Sequence, residues 1–241
     1  MPRRAKTAAI AVIAAGALAV GATAVATGNH SNGGKMPKKA PDRSYQITVE
    51  NLTGGQPISP PLLVAHDRSA DLWSRGDIAN HAVAAIAEDA NNAVALELAG
   101  KIRGIGAGGT GVDLEATDPA PIGPGAAQTY SLDVRGYYGK LTVLAMLVNS
   151  NDAFTGLDSV RLPRKIGATR SHYRMAYDAG SEKNNEGAKY IPGPVGGNPF
   201  VRDPEGNVIR AHPGVRGGAD LDPTVHSLSG KVAKISITRV R

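Results

Sequence analysis

The feature that most narrows the folds open to this chain is a series of short period-two stretches separated by long runs of glycine and proline. In SYQITVEN, Tyr45, Ile47 and Val49 alternate with polar residues, the pattern of a strand with one buried face. AQTYSLDVRG repeats it with Tyr130, Leu132 and Val134, and the closing KVAKISITRVR with Ala233, Ile235 and Ile237. PPLLVAH is an apolar run opened by Pro60 and Pro61, a place where a missing N–H is tolerated. KLTVLAMLV, from Lys140 to Val148, is continuously apolar and predicts the most buried strand. Between these lie GIGAGGTG, DPAPIGPG and PGPVGGNP, too rich in turn residues for regular structure. One segment departs from the pattern. IANHAVAAIAEDANNAVALELAG sets Ile78, Ala82, Ala85, Ile86 and Asp89 at helical spacing, which predicts one or two short helices near 78–98. With two Phe and one Trp, the core must rest on Val, Leu, Ile, Ala and Tyr. The expected fold is mainly β, an antiparallel β-sandwich with one or two short helices, formed by a single domain over residues 44–241.

The N-terminus reads differently. Arg3, Arg4 and Lys6 precede an Ala-rich apolar run from about Ala8 to Ala26, which ends in the small-x-small triplet Ala24-Val25-Ala26. This is the form of a secretory signal peptide over residues 1–26. An uncleaved membrane anchor is the competing reading, although Ala, Gly and Thr give such a run little hydrophobic drive. Residues 27–43 read as a basic flexible linker containing KMPKKAPDR. There is no cysteine, which removes disulfides, thiolate metal sites and a lipidated N-terminal Cys. The formal net charge of +6 is concentrated in the first 43 residues, and residues 44–241 carry 20 basic and 20 acidic side chains. A balanced domain lacks the main electrostatic term of nucleic-acid binding, so no nucleic-acid partner is expected.

Familiar catalytic signatures fail in context. Gly104, Gly106 and Gly109 satisfy GxGxxG, but the following VDLEATDPAPIGPG cannot supply the helix that such a loop must open. HExxH, GxSxG and a Cys nucleophile are absent. The six histidines show no close zinc-type spacing. His66-Asp67 and His212 before Pro213 are the residues on which Asp/His hydrolytic chemistry would have to rest. The competing reading makes His66 a strand-end hydrogen-bonding residue and Asp67 the opener of a turn. The loop YDAGSEKNNE is more pointed. Asp178 and Glu182 flank Gly180, whose backbone freedom lets two carboxylates fold toward one point. Asp152 in NSNDAFTG follows the most apolar strand. Calcium takes about six to eight oxygen ligands, several of them carboxylates.

Several phrases together resemble the spondin N-terminal domain family in its short bacterial branch: YQITVENLTGGQPISPPLLVAHD, LAMLVNSNDAFTGLDSVRLP, YDAGSEKNNE and VAKISITRV. They occur in order across residues 44–241. The resemblance implies a β-sandwich similar to calcium- and phospholipid-binding modules. It also implies a calcium ion held by the positions matching Asp152, Asp178 and Glu182. Here Glu stands where the family's loop has its second Asp, and Ser181 where Thr is common. Asn184, Asn185 and Glu186 are then expected beyond the ligands or on the surface. The resulting expectation is an exported, non-enzymatic binding or adhesion module with calcium as cofactor. Its partner would be an extracellular protein, glycan or envelope component, and it would have no integral membrane role after signal cleavage. The alternative is a secreted hydrolase using Asp/His chemistry around His66 and His212.

Overall fold

The computed structural model describes residues 42–99, 101, 120–134, 136, 138–193, 195 and 201–241. The signal-peptide and linker readings up to residue 41, and the GxGxxG glycines, lie outside the described residues.

The strands are β1 (Arg43–Asn51), β2 (Leu62–His66), β3 (Ala127–Val134), β4 (Lys140–Met146), β5 (Ala153–Arg161), β6 (Thr169–Arg174), β7 (Tyr177–Asp178), β8 (Arg210–Ala211) and β9 (Ala233–Arg239). Two helices, α1 (His81–Asp89) and α2 (Asn92–Ala99), fall between β2 and β3. Among the described residues the strands form two antiparallel sheets, a four-stranded one in the order β3-β1-β9-β6 and a five-stranded one in the order β2-β4-β5-β7-β8. The described residues form a β-sandwich with two short helices, as the periodicity predicts.

Alternation decides which side chains fill the sandwich. Tyr45, Ile47 and Val49 of β1, Tyr130, Leu132 and Val134 of β3, and Ala233, Ile235 and Ile237 of β9 are all buried in one cluster. They meet Leu63, Ala65, Leu141, Val143, Ala145 and Leu157 of the facing sheet. Each large aliphatic side chain so removed from water contributes roughly 1.5–3 kcal/mol. The opposite face of the four-stranded sheet is hydroxylic, with Thr48–Thr129 and Ser171–Ser236 paired across strands at 2.8 Å, contacts that knit neighbouring strands where water is the other side.

The continuous apolar character of β4 has a specific cause: its sheet is covered on both faces. Leu144, together with Leu62, Val64, Phe154, Tyr177 and Ile209, belongs to a second cluster that packs under α1 and α2. Trp73 stands edge-on to Phe154 and to Tyr177, with ring centroids 5.0 Å apart in each case. That arrangement suits the ring quadrupoles and pins the ends of β5 and β7 side by side. The helix starts later than the apolar spacing suggests. Asn80 accepts from the N–H groups of Ala82 and Val83, a side-chain N-cap that sets the first turn. Ile78 therefore lies outside α1, 71 % exposed, in an isolated bridge to Val208.

A β-bulge interrupts β4–β5 pairing between Leu141 and Val143. Ser159 adopts φ 46° there and donates its N–H to Thr142 Oγ1. Next to the bulge the strands approach so closely that a Cβ on Gly156 would lie 1.9 Å from the Val143 carbonyl oxygen. Only glycine fits.

Candidate functional site

The five-stranded sheet sets Asp152 beside Asp178, and the Asp152 carboxylate meets the backbone N–H of Glu182. Asp152 is the residue before β5, Asp178 ends β7, and Glu182 follows in a bridge to Pro204. Because β5 and β7 pair Ala153 with Asp178, the two aspartates are neighbours across strands. The turn after β7 depends on Gly180, whose φ is 71°, in the left-handed region that glycine enters without penalty. A Cβ there would also sit 2.7 Å from the Asn207 backbone.

All three side chains are buried, with exposures of 0 %, 0 % and 1 % for Asp152, Asp178 and Glu182. Their oxygens are used unequally. Asp152 Oδ2 accepts from the N–H groups of Ser181 and Glu182, both at 2.9 Å, whereas Asp152 Oδ1 has no hydrogen-bond partner. Asp178 is fully engaged by comparison. Its Oδ1 accepts from Gly180 N–H at 2.7 Å, and its Oδ2 from Asn184 Nδ2 at 2.7 Å and Arg210 Nε at 3.0 Å. Arg210 faces it by register, since β7 and β8 pair Asp178 with Arg210. Neither oxygen of Glu182 has a hydrogen-bond partner. Arg202 Nε lies 3.0 Å from Glu182 Oε1, but it is hydrogen-bonded to Glu88 Oε2 at 2.7 Å, and the same guanidinium holds Asp89.

These surroundings make two of the carboxyls hard to ionise. Burial, reinforced by the charge of Asp178, pushes Asp152 up to about 7 against the pull of its backbone N–H donors. Burial pushes Glu182 up to about 8; Arg202 opposes this, while Glu88, Asp152 and Asp89 add to it. Among the described residues, no group of three or more His, Cys, Asp or Glu side chains already stands in a metal-ligating arrangement. Asp178 Oδ2 is held by Asn184 and Arg210.

The residues after Glu182 are not merely surface. Asn185 accepts from Asn151 Nδ2 and donates to Asp203 Oδ2. Glu186 is buried, and its carboxylate accepts from three successive backbone N–H groups, Arg216, Gly217 and Gly218. Asn184 accepts at Oδ1 from His212 Nε2 at 2.8 Å. Gly214 N–H donates to His212 Nδ1, which fixes the neutral tautomer with its proton on Nε2. Burial holds His212 down at about 4.

The other histidine is remote. His66 ends β2, at the opposite side of the sheet order from β8. It is fully buried, its Nδ1 meeting the Asp67 carbonyl at 2.7 Å and its Nε2 the Thr142 hydroxyl at 2.9 Å. Thr142 is itself buried at the bulge and receives the Ser159 N–H. Asp67 turns its carboxylate onto Ser69 N–H and hydroxyl, the turn-opening role expected from its position. The two histidines of the hydrolase alternative are thus not brought together.

Arg202, Arg210 and the acidic end of α1 have no signature in the sequence, because each meets the site only through pairing across distant segments. Only Asp89 falls in a legible pattern, the helical spacing of α1. A search of known protein families and of curated proteins finds no match to this chain.

Proposed function

We propose that this chain is an exported, spondin-like β-sandwich that binds calcium at the Asp152–Asp178–Glu182 end and acts as a non-enzymatic binding or adhesion module. Its partner would be an extracellular protein, glycan or envelope component. The observation that carries the reading is the set of three buried carboxylate oxygens without hydrogen-bond partners, Asp152 Oδ1 and Glu182 Oε1 and Oε2. Carboxylate oxygens buried without a hydrogen bond are costly, Glu182 has only the ion pair of Oε1 with Arg202 to offset this, and a hard divalent cation is the ligand that oxygen donors of this kind accept. Asp152 Oδ1 and Glu182 would supply the first ligands. Asp178 would add Oδ1, which accepts only the Gly180 N–H, while its Oδ2 stays with Arg210. Bound calcium would tie the loop before β5 to the loop after β7 and stiffen the end of the sandwich. The test is a calorimetric titration of calcium into chelator-treated protein near pH 8, repeated on Asp152→Ala. Saturable one-site binding lost in the variant is expected. No heat of binding in the wild type, or unchanged binding in the variant, would sink the proposal.

A further inference from the structure

At the other end of β5 the charges are reversed. A cleft with a volume of about 780 Å³ is lined there by Arg43, Arg68, Lys140, Arg161, Arg164 and Arg170, with Asp67 the carboxylate among its lining residues. These cations arrive from separate parts of the chain. Arg43 begins β1, Lys140 begins β4 and Arg161 ends β5. Arg164 lies between β5 and β6, Arg170 is the second residue of β6, and Arg68 follows β2.

Three properties separate this cleft from an ordinary solvated basic surface. None of the six cations forms an ion pair with a carboxylate among the described residues, whereas Lys183, Lys234, Arg202 and Arg210 all do. Asp67 forms no ion pair with any of them among the described residues, and its Oδ1 accepts from the Ser69 N–H and hydroxyl. Lys140 and Arg161 stand directly opposite each other on paired strands, a like-charge placement that costs stability unless an anion joins them. Finally, several of the cations are held in position by neutral acceptors. Arg43 donates to the carbonyls of Gly136 and Tyr138, Lys140 to Ser159 O at 2.8 Å, and Arg170 to Arg161 O at 3.2 Å. These bonds orient the side chains without neutralising them.

We propose that this cleft binds a ligand carrying several linked phosphate groups. Planar guanidinium forks match phosphate oxygens in pairs, and five of the six cations are arginines. The volume exceeds what one phosphate would fill and falls within the usual range for small-molecule sites. The site lies at the end of the sandwich away from Asp152, so it does not depend on calcium.

The probe is inorganic tripolyphosphate, titrated into the full chain at about 50 mM salt, where phosphate contacts are least screened. A chelator is present, so that removal of calcium by the probe adds no heat. Binding that weakens steeply with salt is expected, and the double variant Arg161→Ala/Arg170→Ala should lower affinity by about tenfold or more. Lys183→Ala/Lys189→Ala, which removes the same charge elsewhere, should leave affinity within about twofold. Circular dichroism confirms that each variant is folded. No binding by the wild type at about 1 mM probe, or an equal loss in both double variants, overturns the proposal. Vesicles of mixed phosphatidylglycerol and phosphatidylcholine supply the same phosphate chemistry on a surface. Sedimentation with these vesicles that the Arg161→Ala/Arg170→Ala variant loses, together with no binding of tripolyphosphate, would assign the cleft to a lipid surface instead and overturn the proposal.

Discussion

Replacing Asp152 with asparagine should stabilise the calcium-free protein at alkaline pH while destroying its response to calcium. In the folded chain the Asp152 carboxyl is raised from 3.8 to about 7, and each unit is worth about 1.4 kcal/mol. The sign follows from proton binding: between those values the folded state holds a proton that the unfolded state has released. Stability is therefore fully present below about pH 3.8 and is lost as pH rises through about 7, for a total near 4 kcal/mol. Asparagine has the same shape and keeps an oxygen for the Ser181 and Glu182 N–H donors, but it carries no charge to bury. Neutral acceptors are weaker than ionised ones, so the net gain should be about 2–3 kcal/mol, a rise of roughly 4–12 °C in Tm for a domain of this size. The assay is thermal melting of both proteins in chelator at about pH 8.5 and about pH 4.5, then in millimolar calcium at the higher pH. The variant should melt above the wild type at high pH in chelator, and close to it at low pH. In calcium the order should reverse, because only the wild type gains. A variant that melts below the wild type in chelator at about pH 8.5 would show that the buried carboxylate is not a liability. A calcium-induced rise retained in the variant would remove Asp152 from the ligand set.

Arg202→Met removes the cation that faces Glu88, Asp89 and Glu182 and should cost about 3 kcal/mol in urea unfolding near neutral pH, less where the carboxyls are protonated. Gly180→Ala places a side chain on a residue at φ 71° with backbone 2.7 Å away. It should lower stability by about 2 kcal/mol or more, with calcium affinity falling along with it. A Gly180→Ala protein of wild-type stability would mean that the turn relaxes freely.

What could be read from the sequence follows from where side chains are forced to alternate. β1, β3 and β9 have water or hydroxyls on one face and the core on the other, so their period is visible. β4 is visible as a run because helices cover its second face. β6 has no visible period, because Thr169–Arg174 sets Arg170, His172 and Arg174 where an ordinary strand would set apolar residues. β7 and β8, two residues each, are too short to show any period. The candidate carboxylates were legible through their loop and the family resemblance. Their partners were not, since Asp178 meets Arg210 by strand register and Glu182 meets Arg202 across a gap in sequence. Charge was the least legible quantity. Equal numbers of basic and acidic residues over 44–241 conceal an acidic cluster at one end of β5 and unpaired arginines at the other. Glu186 looked like loop surface, because only the fold reveals the three amides it binds.

β6 ends the four-stranded sheet, and its register gives it a further consequence. Arg170, His172 and Arg174 lie opposite Ile237, Ile235 and Ala233 of β9, and those three are buried; residues paired in this way share a face. The strand at the margin of the sheet therefore turns its bases toward the inner side. Arg174 uses that direction to donate to the Gly156 carbonyl at 2.8 Å, clasping the two sheets along their rim. A second molecule adding its own strand there would have to bring these cations against its own copies. Inward-facing charge of this kind guards sheet margins against edge-to-edge growth. At high concentration the chain should consequently resist fibrillar self-association along β6, even though the strand's backbone groups stand ready to pair.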